Sequence, residues 1–460
     1  MNSTKSYDGR LVTHARALRW AAWLMVFVGA TLSFCLLLPP PRPAPAAALV
    51  CYYNTPHDAR SLQPRDIPPH LCTHINVAFA SVRNKTLHLD PPQLAAIRQV
   101  VLLKKSNPNL KVLVSVGGAG ENGFADMVIN HASRKQFIRS IKSLLRNYTL
   151  DGIDLDWEFP TGNRQRQHFS QLLREIRTEY LREKRDYLLT VAVVAEETIA
   201  DASYDYDQLN LYTDFVNVMT YDFHFYTKMT PFTGFNSPLY SEPGQRFFLS
   251  TLNVNYTMHM YLAKGLAPEK LVVGIPTYGH SFQLVNPGNT LPGSPAAGPG
   301  SLGAGGFVSY PDVCQFVKHP GGKQSRDAAA AVPYAHRGTE WLSYDDEESV
   351  ARKAEFAARL GLRGAMVYSL DADDYSNVCG LKALPLVSAV ILYIALDFMA
   401  ECRGPRGRAG RGERARREHC ADLLTFTTKK TECRPYEYCS VYCKVSARAR
   451  ARRASPPALC

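Results

Sequence analysis

Residues 151–160 read DGIDLDWEFP. Asp154, Asp156 and Glu158 fall at every second position, Asp151 stands three residues ahead, and Ile153, Leu155 and Trp157 fill the gaps. Side chains on a β-strand alternate faces with a period of two, so a strand here turns the three acids one way and the apolar residues the other. Carboxylates this close do not all ionise freely, and at least one is held protonated above its ordinary range. A carboxylic acid that keeps its proton near neutral pH has the property a general acid needs. Two blander arrangements compete. A solvated edge strand gives no reason for acids to alternate so regularly with Ile, Leu and Trp. A calcium site usually sets glycine and carbonyl ligands between its acids in a flexible loop. An acidic face turned into a polar cavity, with helices covering the apolar face, fits better than either.

Positioning such a face takes a sheet. Eight short apolar, β-rich runs recur: LVCYY (49–53), INVAFA (75–80), KVLVSVGG (111–118), DGIDLDW (151–157), YLLTVAVV (187–194), DFVNVMTY (214–221), KLVVGIPTY (270–278) and GAMVYSL (364–370). Between most of them lie amphipathic stretches such as 132–148 and 164–184, with apolar residues near i, i+3, i+4 and i+7. Strand–helix alternation repeated eight times predicts an α/β fold, a parallel (β/α)8 TIM barrel. Residues 281–345, rich in Gly and Pro, separate the seventh and eighth runs and predict a small α+β insertion domain. In such a barrel, catalytic groups gather at the C-terminal ends of strands. Glu158 ends the fourth run and Tyr221-Asp222 closes the sixth, so both polar sets stand where the barrel requires.

The two ends of the chain differ from its body. From Arg403 onward there are 15 Lys and Arg against 5 Asp and Glu, which accounts for +10 of the formal charge of +12. The body is nearly neutral, so the charge points to no nucleic-acid partner, and 398–460 reads as an Arg-rich, Cys-containing disordered tail. Residues 1–20 form a short basic segment ahead of an apolar run at 21–38, long enough to cross a bilayer. The positive flank predicts a signal anchor with a cytoplasmic N-terminus, and a cleaved signal peptide is the rival. Residues 39–48, rich in Pro and Ala, read as a stalk, and 49–397 as the catalytic barrel. Either N-terminal reading sends the barrel into the secretory pathway, extracellular on the anchor or secreted if the segment is cleaved. Asn84, Asn147 and Asn255 open glycosylation triplets that suit this compartment. Of 11 cysteines, Cys51, Cys72, Cys314 and Cys379 lie in the body, where an oxidising lumen favours disulfides over metal sites. Spacing alone leaves their pairing open. No metal or cofactor is implied, and a monomer is expected.

DGIDLDWE fits the DxxDxDxE signature of glycoside hydrolase family 18, the chitinases and chitinase-like proteins. SVGG at 115–118, MTYDFH at 219–224, TGFNSPLY at 233–240, GIPTYG at 274–279, WLSYDD at 341–346 and SLDADDY at 369–375 also resemble the family, in its order. The resemblance implies cleavage of β-1,4 N-acetylglucosamine linkages of chitin or chitooligosaccharides, with Glu158 protonating the glycosidic oxygen. No enzyme carboxylate attacks. The substrate's own acetamide oxygen does, an exception to the two-carboxylate scheme. Asp156 would orient the acetamide, Asp154 would share a proton with Asp156, and Tyr221 would hydrogen-bond the acetamide oxygen. By the same resemblance Tyr52, Phe79, Asp222, Trp341 and Tyr368 bind substrate. Asp151, Gly117 and Gly118 belong to the structural motif, and Cys51 pairs with Cys72 and Cys314 with Cys379.

Three positions depart from the family. Tyr368 and Ala119 stand where Trp is usual, and His280 where Arg is usual. His280 is assigned no chemistry. The thinned aromatic floor predicts weaker binding or shorter substrates. It keeps two alternatives open: a chitinase-like lectin without turnover, and an endo-β-N-acetylglucosaminidase of N-glycans.

Overall fold

In the computed structural model residues 47–380 and 382–391 are described. They all fall in the second of two units into which the chain divides, Met1–Ala46 and Ala47–Cys460. Fifteen strands follow in order: β1 (Ala48–Asn54), β2 (His74–Arg83), β3 (Thr86–His88), β4 (Lys111–Gly117), β5 (Gly152–Asp156), β6 (Leu188–Val194), β7 (Phe215–Met219), β8 (Leu271–Pro276), β9 (Tyr278–Leu284), β10 (Ala296–Pro299), β11 (Phe307–Ser309), β12 (Lys323–Asp327), β13 (Val332–Arg337), β14 (Glu340–Ser343) and β15 (Gly364–Tyr368). The eight apolar runs of the sequence supply β1, β2, β4, β5, β6, β7, β8 and β15. These pair in parallel in the order β1-β15-β8-β7-β6-β5-β4-β2, and β1 with β2 closes the ring. The predicted α/β barrel is the observed fold.

The alternation along each strand divides two cores. Ile153 and Leu155 of β5 pack outward with the helices that flank the ring. Trp157 stacks on Phe124 at 5.3 Å and meets Phe169 edge-on at 5.9 Å, so it is a packing residue. Inside the ring Val50, Tyr52, Phe215, Val272 and Met366 form a separate apolar cluster. The amphipathic stretches become helices His131–Tyr148 and Gln165–Arg182. The first starts where Asn130 Oδ1 accepts the Ser133 N–H at 2.9 Å, satisfying an otherwise unpaired helix-end donor.

Asp151 sits just ahead of β5, at the base of the ring. Its Oδ2 accepts from Lys104 Nζ at 2.7 Å and from the Val112 N–H at 2.8 Å. It registers β5 against β4 at the end away from the acids.

The insertion differs from expectation at its start. Its antiparallel sheet, β10-β9-β14-β13-β12 with β11 on β9, opens at Tyr278, three residues before the expected 281. The run 270–278 therefore holds two strand ends. Thr277 divides them, its N–H reaching Tyr368 O at 2.9 Å and its hydroxyl Ser369 O at 2.6 Å. Ala48, expected in the stalk, already pairs with Gly364 in the barrel. Both body disulfides form as the resemblance implied: Cys51–Cys72, and Cys314–Cys379, which ties the insertion helix Tyr310–Lys318 to the segment after β15. The apolar run 21–38 and the tail from 398 lie outside the described residues. Among those described, no helix is long and apolar enough to cross a membrane.

Candidate active site

Asp154 and Asp156 of β5 point into the ring and are buried. Asp154 accepts four hydrogen bonds. Oδ2 takes one from Tyr52 Oη at 2.7 Å and one from Ser115 Oγ at 2.7 Å. Oδ1 takes one from Thr190 Oγ1 at 2.6 Å and one from Asn217 Nδ2 at 3.2 Å. Burial raises its pKa, and these donors work against that rise by holding the charged form. Asp156 has no such support, since its Oδ1 finds no partner among the described residues. Burial first, then the charges of Glu158 and Asp154, push its carboxyl well above the usual range. Burial thus works against the charged form at both acids, and hydrogen-bond donors offset it at Asp154 alone. Glu158 is half-buried, one step beyond the strand end. Burial, and next the negative charge of Asp222, raise it to about 7. A carboxyl raised this far retains its proton closer to neutral pH than an ordinary glutamate does.

The neighbours come from other strand ends. Tyr221, buried after β7, directs its hydroxyl, among the described residues, at the Met366 thioether at 3.8 Å. A thioether is a weak acceptor. Tyr368 ends β15, half-buried, 5.9 Å from the Tyr221 ring and stacked with Phe79 at 6.4 Å. The Ala78–Phe79, Glu158–Phe159 and Tyr368–Ser369 peptide bonds are cis, the first inside β2 where its pairing with β4 shifts register, the other two just past the ends of β5 and β15. Gly117 (φ 119°) and Gly118 (φ 82°) bring β4 close to β5 and Phe79. A Cβ on Gly117 would lie 1.8 Å from Asp156 O, and one on Gly118 would lie 3.1 Å from the Phe79 ring.

Asp222 stands exposed in a left-handed conformation, φ 56°. Asn236 holds it there, its Oδ1 accepting the Asp222 N–H at 2.9 Å and its carbonyl the Phe223 N–H at 3.0 Å. Asp222 Oδ1 also meets Tyr278 Oη and His280 Nε2, each at 2.7 Å.

Two aromatics are not where the sequence placed them. Tyr52 is 1 % exposed and lies under the acids as a donor to Asp154, so it offers no face to a ligand. Trp341 is 0 % exposed. It faces Phe282 across the β14–β9 pair, stacks on Tyr334 at 5.5 Å, and gives its Nε1–H to Thr290 O at 3.0 Å inside the insertion's own core. Of the expected aromatics, Phe79 and Tyr368 are half-buried beside the acids. The sequence reading missed Ser115, Thr190 and Asn217, though each is a lone polar residue inside an apolar run. It also missed Met366, Asn236 and Tyr278, and it gave His280 no part.

The family model for glycosyl hydrolases family 18 matches residues 48–373. The chain belongs to this family. Human Chitinase-3-like protein 2 is 38% identical over 362 residues, covering 75% of this chain and 92% of the relative. Mouse Chitotriosidase-1 is 37% identical, covering 74% and 77%. Among solved family 18 structures, human YKL-39 superposes with a TM-score of 0.72 at 37% identity, covering 76% of this chain and all of that one. It is described as a pseudo-chitinase with retained chitooligosaccharide binding. Ostrinia furnacalis Group IV chitinase, solved with allosamidin, gives 0.72 at 34% identity, covering 76% and 99%. Family 18 here thus includes chitinases and a pseudo-chitinase, and this chain is a chitinase or chitinase-like protein.

Proposed function

We propose that the chain hydrolyses β-1,4 N-acetylglucosamine linkages of chitooligosaccharides with retention, by substrate-assisted catalysis. The observation that carries this is the inward acid column: Asp154 holding four donors at the bottom, Asp156 buried with Oδ1 unpartnered among the described residues, and Glu158 half-buried at the open end, raised to about 7. Glu158 gives its proton to the glycosidic oxygen as the bond to the anomeric carbon breaks. The acetamide oxygen of the same sugar closes on that carbon, oriented by Asp156 and by Tyr221 Oη. Such an intramolecular nucleophile carries an effective molarity on the order of 10⁵ M or more. Water, deprotonated by the now anionic Glu158, then breaks the bond from the acetamide oxygen to that carbon, entering from the face the leaving group vacated, so configuration is retained. A chitinase shares this family with the chain, which supports the reading.

The second reading is a glycan-binding protein without turnover. It is favoured by Tyr368, by Ala119, and by the burial of Tyr52 and Trp341, which leaves few aromatic faces open. Product analysis on a soluble chitooligosaccharide, wild type beside Glu158→Gln, separates the two. Short products from wild type, lost in the variant, support hydrolysis. Equal binding by both with no products from either supports the lectin. We further propose that the barrel works on the lumenal or extracellular side, as its two disulfides favour, downstream of a signal anchor at 21–38.

A further inference from the structure

We propose that Asn84 carries an N-linked glycan whose first sugars are seated in a polar groove beside the β2–β3 turn. It rests on the secretory placement proposed above. Three triplets in the barrel have the spacing for this modification, opening at Asn84, Asn147 and Asn255. The fold separates them. Asn147 lies in the last turn of helix His131–Tyr148, with Nδ2 donating to Ser143 Oγ at 3.4 Å. Asn255 is half-buried in the first turn of helix Val254–Ala263. The Thr257 of its triplet is buried and donates its hydroxyl to Ala195 O at 3.1 Å. Asn84 instead stands on a surface turn. It and Lys85 form the two-residue link between β2 and β3, closed where Arg83 faces Thr86. Both are exposed and left-handed, as a hairpin turn of this length favours. Thr86 Oγ1 donates to Arg83 O at 2.8 Å, and Gln136 Nε2 to Asn84 O at 3.2 Å. These bonds hold the main chain of the turn, while the Asn84 amide takes part in no hydrogen bond among the described residues.

Asn84 itself lines a groove of about 590 Å³ between this turn and the loop that follows β4. That volume is within the range of small-ligand sites. Gly123 joins loop to strand, since a Cβ there would stand 2.1 Å from Val82 O. The lining is mostly polar: Ser81, Arg83, Glu121, Asn122 and Asp126 face the space with Asn84. Such side chains offer both donors and acceptors to sugar hydroxyls. The covalent tether keeps the first sugars at high local concentration there, so weak contacts suffice to seat them. The same loop carries Ala119 and starts at Gly118, against the Phe79 ring, which places the seated sugars next to one edge of the candidate site. The modification joins Asn84 Nδ2 to the anomeric carbon of the first sugar. Its co-reactant is a lipid-diphosphate-linked oligosaccharide of the secretory lumen. The bond from that carbon to the diphosphate oxygen breaks, the diphosphate leaves with the electron pair, and Nδ2 gives up one proton.

The test expresses the full chain in cultured animal cells and reads glycopeptides and alkylated cysteines by mass spectrometry. The expected result is an occupied Asn84 in protein whose four barrel cysteines are paired. Thr86→Ala should abolish that occupancy and Thr86→Ser keep it, both with Asn84 in place. Release of the Asn84 glycan by peptide N-glycosidase is then timed on native and on denatured protein. Native wild type should release it about tenfold more slowly than Asn122→Ala with Asp126→Ala, the factor that roughly 1.4 kcal/mol of seating gives. The two should release it at equal rates once denatured. Both substituted positions are exposed, so the variant keeps the fold. An unmodified Asn84 in disulfide-bonded protein overturns the proposal and leaves the secretory placement standing. An occupied Asn84 released equally fast from native wild type and native variant overturns the seating. Four free barrel cysteines with no triplet occupied overturn the placement and the proposal together.

Discussion

Glu158 needs its proton to act, so its raised pKa fixes one limb of the pH dependence. The protonated form dominates below about 7 and is lost above it, and kcat/KM on a soluble chitooligosaccharide should fall as pH rises through that value. A flat profile from pH 6 to 9 would remove Glu158 from the acid role. Glu158→Gln should lower turnover by about 10²–10⁴-fold with ligand affinity retained, as read by product analysis and calorimetry. Tyr368 gives a second residue-scale expectation. Tyr368→Trp widens the apolar face beside the acids, and about 1 kcal/mol of added aromatic contact should raise kcat/KM roughly fivefold. The acids were legible because a period of two in a short apolar run admits few explanations. Ligand contact was not legible for Tyr52 or Trp341. Alternation tells which residues share a face, and not whether that face meets a cleft or a neighbouring sheet. Nor does it name the donors that Asp154 collects from four other strands. Those partners stand 36 to 102 positions away in the chain, and only the closed ring brings them together.

At the scale of elements, β4 and β5 approach more closely than side chains allow. Gly117→Ala puts a methyl group 1.8 Å from the Asp156 carbonyl oxygen in a left-handed backbone, so β5 must move or the barrel must open. The expected cost is above about 4 kcal/mol, read as a large drop in melting temperature or as no folded protein. Gly120→Ala is the control, because a Cβ there meets nothing within 4 Å although its φ is also positive. All eight barrel strands could be read from the sequence, since strands buried on both faces appear as near-continuous apolar runs. The β8–β9 boundary could not. Thr277 ends one strand through contacts with residues more than 90 positions later, which local sequence does not carry. The β2–β3 hairpin was missed too. Its turn is built by Asn84 and Lys85 at φ 50° and 62°, and lysine gives no such signal.

The described residues form a ring with a second sheet inserted between its last two strands, and the Cys314–Cys379 bond spans that insertion's exit across 65 residues. Closing a loop of that length constrains the unfolded chain by about 4 kcal/mol in the chain-entropy model. Cys314→Ser with Cys379→Ser should therefore lower the melting temperature by several degrees, measured against the oxidised wild type. Loss of Cys51–Cys72, a loop of 21 residues, should cost less. The base of the ring has a further consequence. Asp151 is anchored there by Lys104, Lys111 and Val112, and the strand it starts delivers Glu158 to the mouth. Seven residue steps separate the two, at most roughly 23 Å at about 3.3 Å each. Lys104 is thus a lever on the underside of the barrel: reversing its charge loosens the footing of the strand, and the disturbance arrives where the sugar would sit.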